Sequence, residues 1–209
     1  MFRQSVSLSS KRCHLSPQPP LILASTSPYR RELLERLGVP FAVEAPDVDE
    51  VHLAGEPPTE RALRLAAAKA EAVARRHPEA VVIGSDQVAA AGGAILDKPG
   101  TVERACQQLR HLSGSQARFH TACAVRWHNT GFSVNHLDTV TVSVRDLTTE
   151  EISAYVAREL PLNCAGSFKS EGLGIALFSR IESEDPTALV GLPLIWLAAA
   201  LRQAGYRLF

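Results

Sequence analysis

The sequence lacks an excess of charge of either sign: its 209 residues carry 22 lysines and arginines against 22 aspartates and glutamates. Balanced charge argues against the broad basic surface of a nucleic-acid-binding or membrane-associated protein, although a local basic pocket remains compatible with it. No apolar run approaches the roughly 20 residues that span a bilayer. We therefore expect neither nucleic acid nor a membrane among the partners.

Cysteine and histidine are present without the spacings that build disulfide or metal frameworks. The seven histidines form no HExxH pattern, and no two of the four cysteines form a CxxC pair. Scattered cysteines of this kind are typical of reduced, mostly buried thiols in intracellular proteins. The sequence therefore predicts a cytoplasmic protein without a zinc or disulfide core. The cysteines are Cys13, Cys106, Cys123 and Cys164.

Residues 1–20 differ from the rest of the chain in composition. They contain five serines and several prolines, three basic residues and no acidic residue, a composition typical of disorder. The segment lacks the apolar centre of a secretory signal, and its composition leaves open a targeting segment, another function or an extended start. We predict a disordered extension over 1–20 and one folded domain over 21–209.

A strand, a short polar loop and a helix are predicted over residues 21–38. The four apolar residues 21–24 are typical of a strand buried on both faces. Ser27 is suited to cap the following helix, Pro28 to occupy its first position, and Gly38 to end it.

The first turn of this helix carries Arg30 and Arg31, although cations are unfavourable at the positive end of a helix dipole. One interpretation is an anion at the helix N-terminus, bound by backbone N–H groups and guanidinium groups. The other, equally weighted, is that both arginines face solvent and Glu32 compensates their charge. The helix alone does not separate phosphate binding from the second interpretation.

Asp86 follows the apolar run Ala80–Gly84, which predicts a buried strand. In open α/β sheets, ligands collect at the carboxyl ends of strands, and neither a turn nor a helix cap explains a carboxylate here. Lys98 precedes Pro99, which holds its backbone extended. We infer a functional carboxylate at Asp86 and a charge projected from a defined backbone at Lys98.

Two further charged positions have a structural alternative. Lys69 lies at the border of the apolar face of a helix predicted from a Thr59 cap to about Arg76, where a surface lysine with its stem along the protein is the usual arrangement. The acidic segment 47–50 is more typical of a solvated loop than of a metal site, although one of its carboxylates could bind a divalent cation.

The stretch Cys164–Ile175 contains three glycines, together with Lys169 and Glu171. Glycines at this density indicate tight turns or close approach of the backbone to a ligand, and the alternative is a flexible loop. Phe168 and a strand predicted over 175–178 favour an ordered one.

The remaining segments predict scaffold. A Gly-Gly pair at 92–93 predicts a hairpin turn, and Thr148 with Glu151 predicts a capping box. The other predicted elements are helices over 101–113, 148–159 and 193–204, and strands over 39–45, 94–96, 117–128 and 139–145.

Together these stretches resemble the Maf family of nucleoside triphosphate pyrophosphatases. The matching segments run in order from Leu21 almost to the C-terminus: LASTSPYRRELL, VDE, RLAAAKA, IGSDQV, DKP, CAGSFKSEGLGI and VGLPL. The chain resembles most the subfamily that hydrolyses 7-methyl-GTP to 7-methyl-GMP and pyrophosphate, through Tyr29, Gln87 and Glu171. Relatives that cleave UTP or dTTP typically carry arginine, threonine and glutamine there, and the 7-methyl-GTP subfamily often has tryptophan in place of Tyr29.

The resemblance implies a role for each matched residue. Asp86 would accept a proton from water and, with Glu50, hold a divalent cation, Mg²⁺ or Mn²⁺. Three cations would neutralise the triphosphate, and the loop before the first helix would cradle phosphates. The implied catalytic set is Asp86, Glu50, Lys69 and Lys98; the substrate-binding set is Ser25, Ser27 and Arg30; the specificity set is Tyr29, Gln87 and Glu171.

The resemblance also implies a fold and a set of alternatives. We expect an α/β architecture, with a long, twisted, mixed β-sheet flanked by helices and two lobes around a central cleft, as in Maf and ITPase proteins, and a homodimer. One alternative keeps the reaction but uses dTTP, UTP or another modified nucleotide. The other, from a different class, is a non-catalytic nucleotide-binding regulator of cell division.

Overall fold

The computed structural model describes residues 18–209, so the extension predicted over 1–20 lies almost entirely outside the described residues. Its last residues contact the domain. The Tyr206 hydroxyl donates to the carbonyl of Pro19 at 2.7 Å, and the Val81 N–H donates to the carbonyl of Pro20 at 2.8 Å. The chain is thus held by hydrogen bonds just before its first strand begins.

A mixed sheet organises the described chain. Its strands run in the order β2-β1-β3-β5-β6-β7, with β4 beside β3. β1 pairs in parallel with β2 and β3, whereas the other pairings are antiparallel. This confirms the predicted mixed α/β sheet. The strands are β1 (Leu21–Ala24), β2 (Ala42–Glu44), β3 (Val81–Ala91), β4 (Ala94–Leu96), β5 (Gln116–Trp127), β6 (Phe132–Val144) and β7 (Phe178–Glu182).

The α-helices of the described chain mostly begin at the predicted caps. Ser27 and Thr101 each accept a hydrogen bond from the backbone N–H three residues on, and Thr148 with Glu151 forms the predicted capping box. The helices are α1 (Pro28–Glu35), α2 (Pro58–Ala74), α3 (Val102–Leu112), α4 (Thr149–Glu159) and α5 (Leu194–Gln203).

Two predicted helix starts are wrong by one or two residues. Pro57, not Thr59, is the N-cap of α2, and no side chain caps that end. Pro193 is the N-cap of α5 rather than its first helical residue. In both cases the chain uses a proline at the boundary, where its missing N–H removes an unpaired donor.

The prediction that Asp86 stands at the tip of a strand is wrong, because β3 continues to Ala91. The parallel pairing with β1 ends where Ala24 lies opposite Gly84. Antiparallel pairing with β5 continues beyond that point and places Asp86 opposite Ala122. Asp86 therefore lies in mid-strand, immediately past the end of the neighbouring strand on one side.

Two other predicted strands differ from the structure. The strand expected over 175–178 is wrong: a 3₁₀ helix spans Leu173–Leu177, and β7 follows from Phe178. The strand expected over 139–145 forms the end of the longer β6, which starts at Phe132. A turn at His128–Gly131 joins β5 and β6 into a hairpin, and pairing with β5 extends the strand through its mixed polar sequence.

Two main hydrophobic clusters divide the core along the long strands. One contains Ala89 and Phe119 with α3 and α4, and the other contains Ile83 and Val125 with α1 and α5. The two ends of β3 thus belong to different clusters. This division corresponds to the two predicted lobes, and the middle of β3 lies between them.

Helix α2 packs unusually close to β3 at Gly84. A Cβ atom added there would overlap the carbonyl of Ala66 and lie 2.9 Å from the Cβ of Ala70. Only glycine leaves room for this approach. Because Lys69 lies between these two alanines in the sequence and Asp86 follows Gly84 on β3, the contact at Gly84 sets the distance between the two charged residues.

We predict that Gly84→Ala lowers the free energy of unfolding by ~1–3 kcal/mol, since the helix must move away from the strand. Urea unfolding measures this loss. The same shift should lower catalytic activity because it separates Lys69 from Asp86. An unfolding midpoint equal to that of the wild type would contradict the close packing described here.

Candidate functional site

A cleft of about 960 Å³ opens at the middle of β3, between the two hydrophobic clusters. It brings together every site residue predicted from the sequence, although they are spread over more than 140 positions of the chain. The predicted residues that line it are Ser25, Ser27, Tyr29, Arg30, Glu50, Lys69, Asp86, Gln87, Lys98 and Glu171.

Lys69 forms the centre of a charged cluster in the cleft. Its Nζ lies 2.7 Å from Asp86 Oδ1 and 2.8 Å from Glu50 Oε1. Lys69 is only 6% exposed and Asp86 7%. The Lys69 side chain therefore does not lie along the surface with its ammonium group in solvent. It is buried, and its ammonium group pairs with both carboxylates.

Glu50 is ionised in this environment. Partial burial opposes its ionisation, but the hydrogen bond from Lys69 and the charges of Lys69, Lys98 and Arg30 outweigh that cost and lower the pKa of Glu50. Its side chain keeps more than half of its surface exposed, whereas that of Asp86 is nearly covered. The two carboxylates thus share one cation while facing different amounts of solvent.

The two arginines of α1 have different environments. Arg30 lines the cleft and donates from Nε to the carbonyl of Gly191 at 3.0 Å. Burial lowers the pKa of Arg30, and the charge of Asp86 acts in the opposite sense. Arg31 is exposed and pairs with Glu35 one turn along the helix. Of these two arginines, Arg30 is therefore the one whose position agrees with an anion bound at the N-terminus of α1.

Gly191 is held from two sides by the cleft residues. Its carbonyl also lies 2.8 Å from the hydroxyl of the buried Ser85. The residue has a φ of +117°, and a Cβ there would come within 3.3 Å of Arg30 Nε. A glycine is thus required both by the backbone conformation and by the approach of the guanidinium group.

Lys98 lies at the rim of the cleft, exposed to solvent, on the loop that follows β4. Within residues 18–209, no carboxylate lies within ion-pair distance of its ammonium group. Its charge nevertheless contributes to the lowered pKa of Glu50. Lys98 therefore supplies a positive charge at the cleft that no carboxylate of the described chain pairs with.

Tyr29 and Glu171 line the same cleft. The Tyr29 hydroxyl lies 3.8 Å from the Cys164 sulfur. Burial, this contact and the nearby acidic groups raise the pKa of Tyr29 to about 12, so its ring is that of a neutral phenol. Glu171 is exposed, and within residues 18–209 its carboxylate accepts one hydrogen bond, from Ser170 at 3.3 Å.

Gln87 uses its amide nitrogen to hold the wall of the cleft. Nε2 donates to the carbonyls of Ala188 and Leu189, at 3.1 and 3.0 Å, and contacts the Thr121 hydroxyl. Two carbonyl partners identify this atom as the nitrogen, since carbonyls only accept. The amide oxygen is therefore the atom of Gln87 that is left for a ligand.

Several cleft residues were not predicted from the sequence. Arg61 lies two helical turns before Lys69, and its Nε is buried without a hydrogen-bond partner among the described residues. Residues 61, 65 and 69 are four apart and therefore share one face of α2, and this spacing is the signal in the sequence that links Arg61 to Lys69. Phe119, Phe168 and Cys164 also line the cleft, whereas the predicted buried thiols Cys106 and Cys123 do not.

The cleft offers few ligands to a metal ion. No cluster of three or more His, Cys, Asp or Glu side chains forms among residues 18–209. Asp86 and Glu50 both bring hard oxygen atoms to the cleft, and each contacts the Lys69 ammonium through one of them. Such a pair fits Mg²⁺, which is commonly bound through one or two carboxylates together with substrate phosphates and water.

Residues 20–204 match the family described as Maf-like protein. The chain belongs to the Maf family. The match covers the segments on which the resemblance was recognised and the whole cleft. It also includes each of the long strands and the five helices.

Close relatives of this Maf protein carry the name 7-methyl-GTP pyrophosphatase. The one from Cupriavidus pinatubonensis is 55% identical over 194 residues, 93% of this chain and 98% of the relative. The one from Polaromonas sp. is 55% identical and covers 98% of this chain and 94% of the relative. The one from Xanthomonas campestris pv. campestris is 57% identical and covers 91% of this chain and 98% of the relative.

A solved structure shows the same fold at low sequence identity. The Staphylococcus aureus Ham1 protein superposes with a TM-score of 0.51 at 17% identity, covering 88% of this chain and 98% of that one. The likeness supports the architecture expected of a Maf protein. Separately, none of the helices in the described part of the chain has the length and apolar character needed to cross a membrane.

We predict that Glu50→Gln destabilises the protein near neutral pH and does so less in acid. A carboxyl group whose folded-state pKa is lowered stabilises the fold above its unfolded pKa, and this contribution disappears as the pH falls through the folded value. The difference in free energy of unfolding between wild type and variant should shrink from about pH 7 to about pH 3.

Urea unfolding at a series of pH values measures this difference. Glu103→Gln is a matched control, since Glu103 is exposed on α3 and makes no ion pair within the described chain. A pH-independent difference for Glu50→Gln, or an equal one for the control, would contradict the pairing with Lys69.

Proposed function

We propose that the protein hydrolyses 7-methyl-GTP to 7-methyl-GMP and pyrophosphate. The observation that carries the proposal is a single cleft lined by the buried Asp86, by a set of cations, and by an aromatic ring and a further carboxylate. The names of the relatives, at more than half identity over almost the whole chain, point to the same substrate.

The cations that line the cleft match a triphosphate. Arg30, Lys69 and Lys98 present three positive charges to one cavity. The loop before α1 adds the backbone N–H groups at a helix N-terminus, where the dipole favours an anion. These groups stabilise the negative charge that develops on the departing pyrophosphate.

Asp86 is the proposed proton acceptor. Its carboxylate is held by a single short contact to Lys69, and a small part of it remains open to the cleft. A water molecule beside it would lose a proton to Asp86 as its oxygen attacks the α-phosphorus, and pyrophosphate leaves. A divalent cation on Asp86 and Glu50, Mg²⁺ or Mn²⁺, would supply Lewis-acid charge neutralisation when bound.

Tyr29 and Glu171 match the base. Methylation at N7 gives guanine a delocalised positive charge, and the electron-rich ring of Tyr29 attracts a stacked cation. Glu171 accepts hydrogen bonds from the N1–H and amino group of guanine and complements the positive charge. Against uracil or thymine the same carboxylate would meet carbonyl oxygens, so Glu171 also acts by rejection.

Two alternatives differ from this proposal. The first keeps the reaction but uses dTTP, UTP or another modified nucleotide as the substrate. The second is a non-catalytic, nucleotide-binding regulator of cell division. We further propose a cytoplasmic location, a homodimer and no nucleic-acid partner. A non-catalytic role would leave the buried pair of Lys69 and Asp86 at the cleft without a chemical purpose.

We predict that the purified protein with Mg²⁺ releases pyrophosphate faster from 7-methyl-GTP than from GTP, UTP, dTTP or CTP. Asp86→Asn should reduce kcat by about 10²–10⁴-fold, the usual contribution of a general base, while nucleotide binding persists. Pyrophosphate release and equilibrium binding measure the two effects, and Asp97→Asn, which changes another carboxylate at the cleft, is the control.

The outcomes separate the alternatives. Faster turnover of UTP or dTTP would replace the proposed substrate. Tight binding by the wild type without release of pyrophosphate from any triphosphate would support the regulator instead.

We predict that Glu171→Gln lowers the preference for 7-methyl-GTP over UTP, because the neutral amide both loses the attraction to the methylated base and removes the repulsion of uracil. The ratio of kcat/KM for the two substrates measures this preference. Glu182→Gln, an exposed carboxylate on β7 that does not line the cleft, is the control. An unchanged ratio in Glu171→Gln would count against the base-recognition model.

A further inference from the structure

Lys169 belongs to the glycine-rich segment of the cleft but does not face it. Its neighbours Phe168, Ser170 and Glu171 line the cavity, whereas Lys169 is turned to the opposite side. Its Nζ donates to the carbonyl of Glu159 at 2.6 Å and lies 3.9 Å from Glu159 Oε2. A charged side chain in a cleft segment thus binds the C-terminal end of α4 rather than a ligand.

Two further hydrogen bonds tie the same segment to α4. The backbone N–H of Lys169 donates to the Tyr155 hydroxyl at 3.0 Å. The backbone N–H of Leu173 donates to Glu159 Oε1 at 3.3 Å. We call Tyr155, Glu159 and Lys169 the α4 clasp. Its bonds hold the backbone on both sides of Glu171.

The packing at Gly172 places Glu159 directly against this backbone. A Cβ at Gly172 would lie 3.0 Å from Glu159 Oε2, so the glycine allows the carboxylate to reach the segment. The side chains of Lys169 and Glu159 are 25% and 23% exposed. Partial burial strengthens the charge-assisted bond, and a cation at a helix C-terminus is favoured by the helix dipole.

Glu171 itself has little to fix its position. It is exposed, and its one side-chain contact within the described chain is the hydrogen bond from the neighbouring Ser170. Its placement in the cleft therefore depends on the backbone that carries it. Phe168 anchors the start of that backbone by packing against Phe119 and Phe178, and the α4 clasp anchors the rest.

We propose that Lys169 is a positioning residue for base recognition: by binding the C-terminal end of α4 it holds Glu171 in place in the cleft. The proposal rests on the proposed function. It assigns to Lys169 no contact with the phosphates or with the reacting atoms, so its loss should weaken selection of the base while leaving the chemical step intact.

The test is Lys169→Met, with Lys169→Arg as the conservative variant. In Lys169→Met we expect KM for 7-methyl-GTP to rise about tenfold, kcat to change less than about twofold, and the preference over UTP to fall. Lys169→Arg keeps a cation that can reach the carbonyl and should restore most of the preference. Arg158→Met, which removes an exposed cation from the same helix end, is the matched control.

Hydrogen exchange of the unliganded protein gives a readout independent of activity. In Lys169→Met, the amides of residues 169–173 should exchange faster than in the wild type, and those of α2 should not. Unchanged exchange overturns the clasp, and faster exchange with an unchanged 7-methyl-GTP to UTP ratio overturns its role in recognition. Absence of pyrophosphate release by the wild type would instead overturn the proposed function and leave the exchange result to judge the clasp.

Discussion

The structure depends on one buried ammonium group shared by two carboxylates. Lys69 lies 2.7 Å from Asp86 and 2.8 Å from Glu50, in a site that exposes little of it to water. Removing these charges from solvent is costly, and the pairing offsets that cost only if the geometry is maintained. The geometry is maintained by backbone, because α2 lies against β3 at a glycine with no room for a side chain. A charge arrangement suited to chemistry is thus built into the packing of the sheet.

The sheet itself creates the space for that chemistry. β1 stops beside Gly84, while β3 continues and pairs with β5 as an antiparallel strand. The end of the parallel part leaves Asp86 without a neighbouring strand on one side, so a cleft opens in the middle of β3. Loops from both hydrophobic clusters then reach the same cavity, which is why one short stretch of strand meets residues from both halves of the chain.

Several polar side chains beside the cleft form hydrogen bonds with the backbone of its walls, so their polar groups are not all available to a ligand. Gln87 and Ser85 bind the backbone of the segment 188–191, and Arg30 shares the carbonyl of Gly191 with Ser85. Lys169 likewise binds the end of α4. The polar groups near the site therefore fall into those that face the cavity and those that hold its walls, and the direction of each side chain separates the two.

Short-range patterns in the sequence were sufficient to place several helix caps. The caps at Ser27, Thr101 and Thr148 involve hydrogen bonds that span three residues, so the short-range pattern was enough to place them. The family motifs identified ten of the residues that line the cleft, but not Arg61 or Phe119. Tertiary structure decided the length of β3, the separation of Arg30 from Arg31, and the burial of Lys69. Each of these depends on a partner distant in the chain: a strand that ends early, a carbonyl at Gly191, a carboxylate at Asp86. Short-range sequence patterns do not reveal such partners, because the contacts with them form, and contribute free energy, only when the chain has folded.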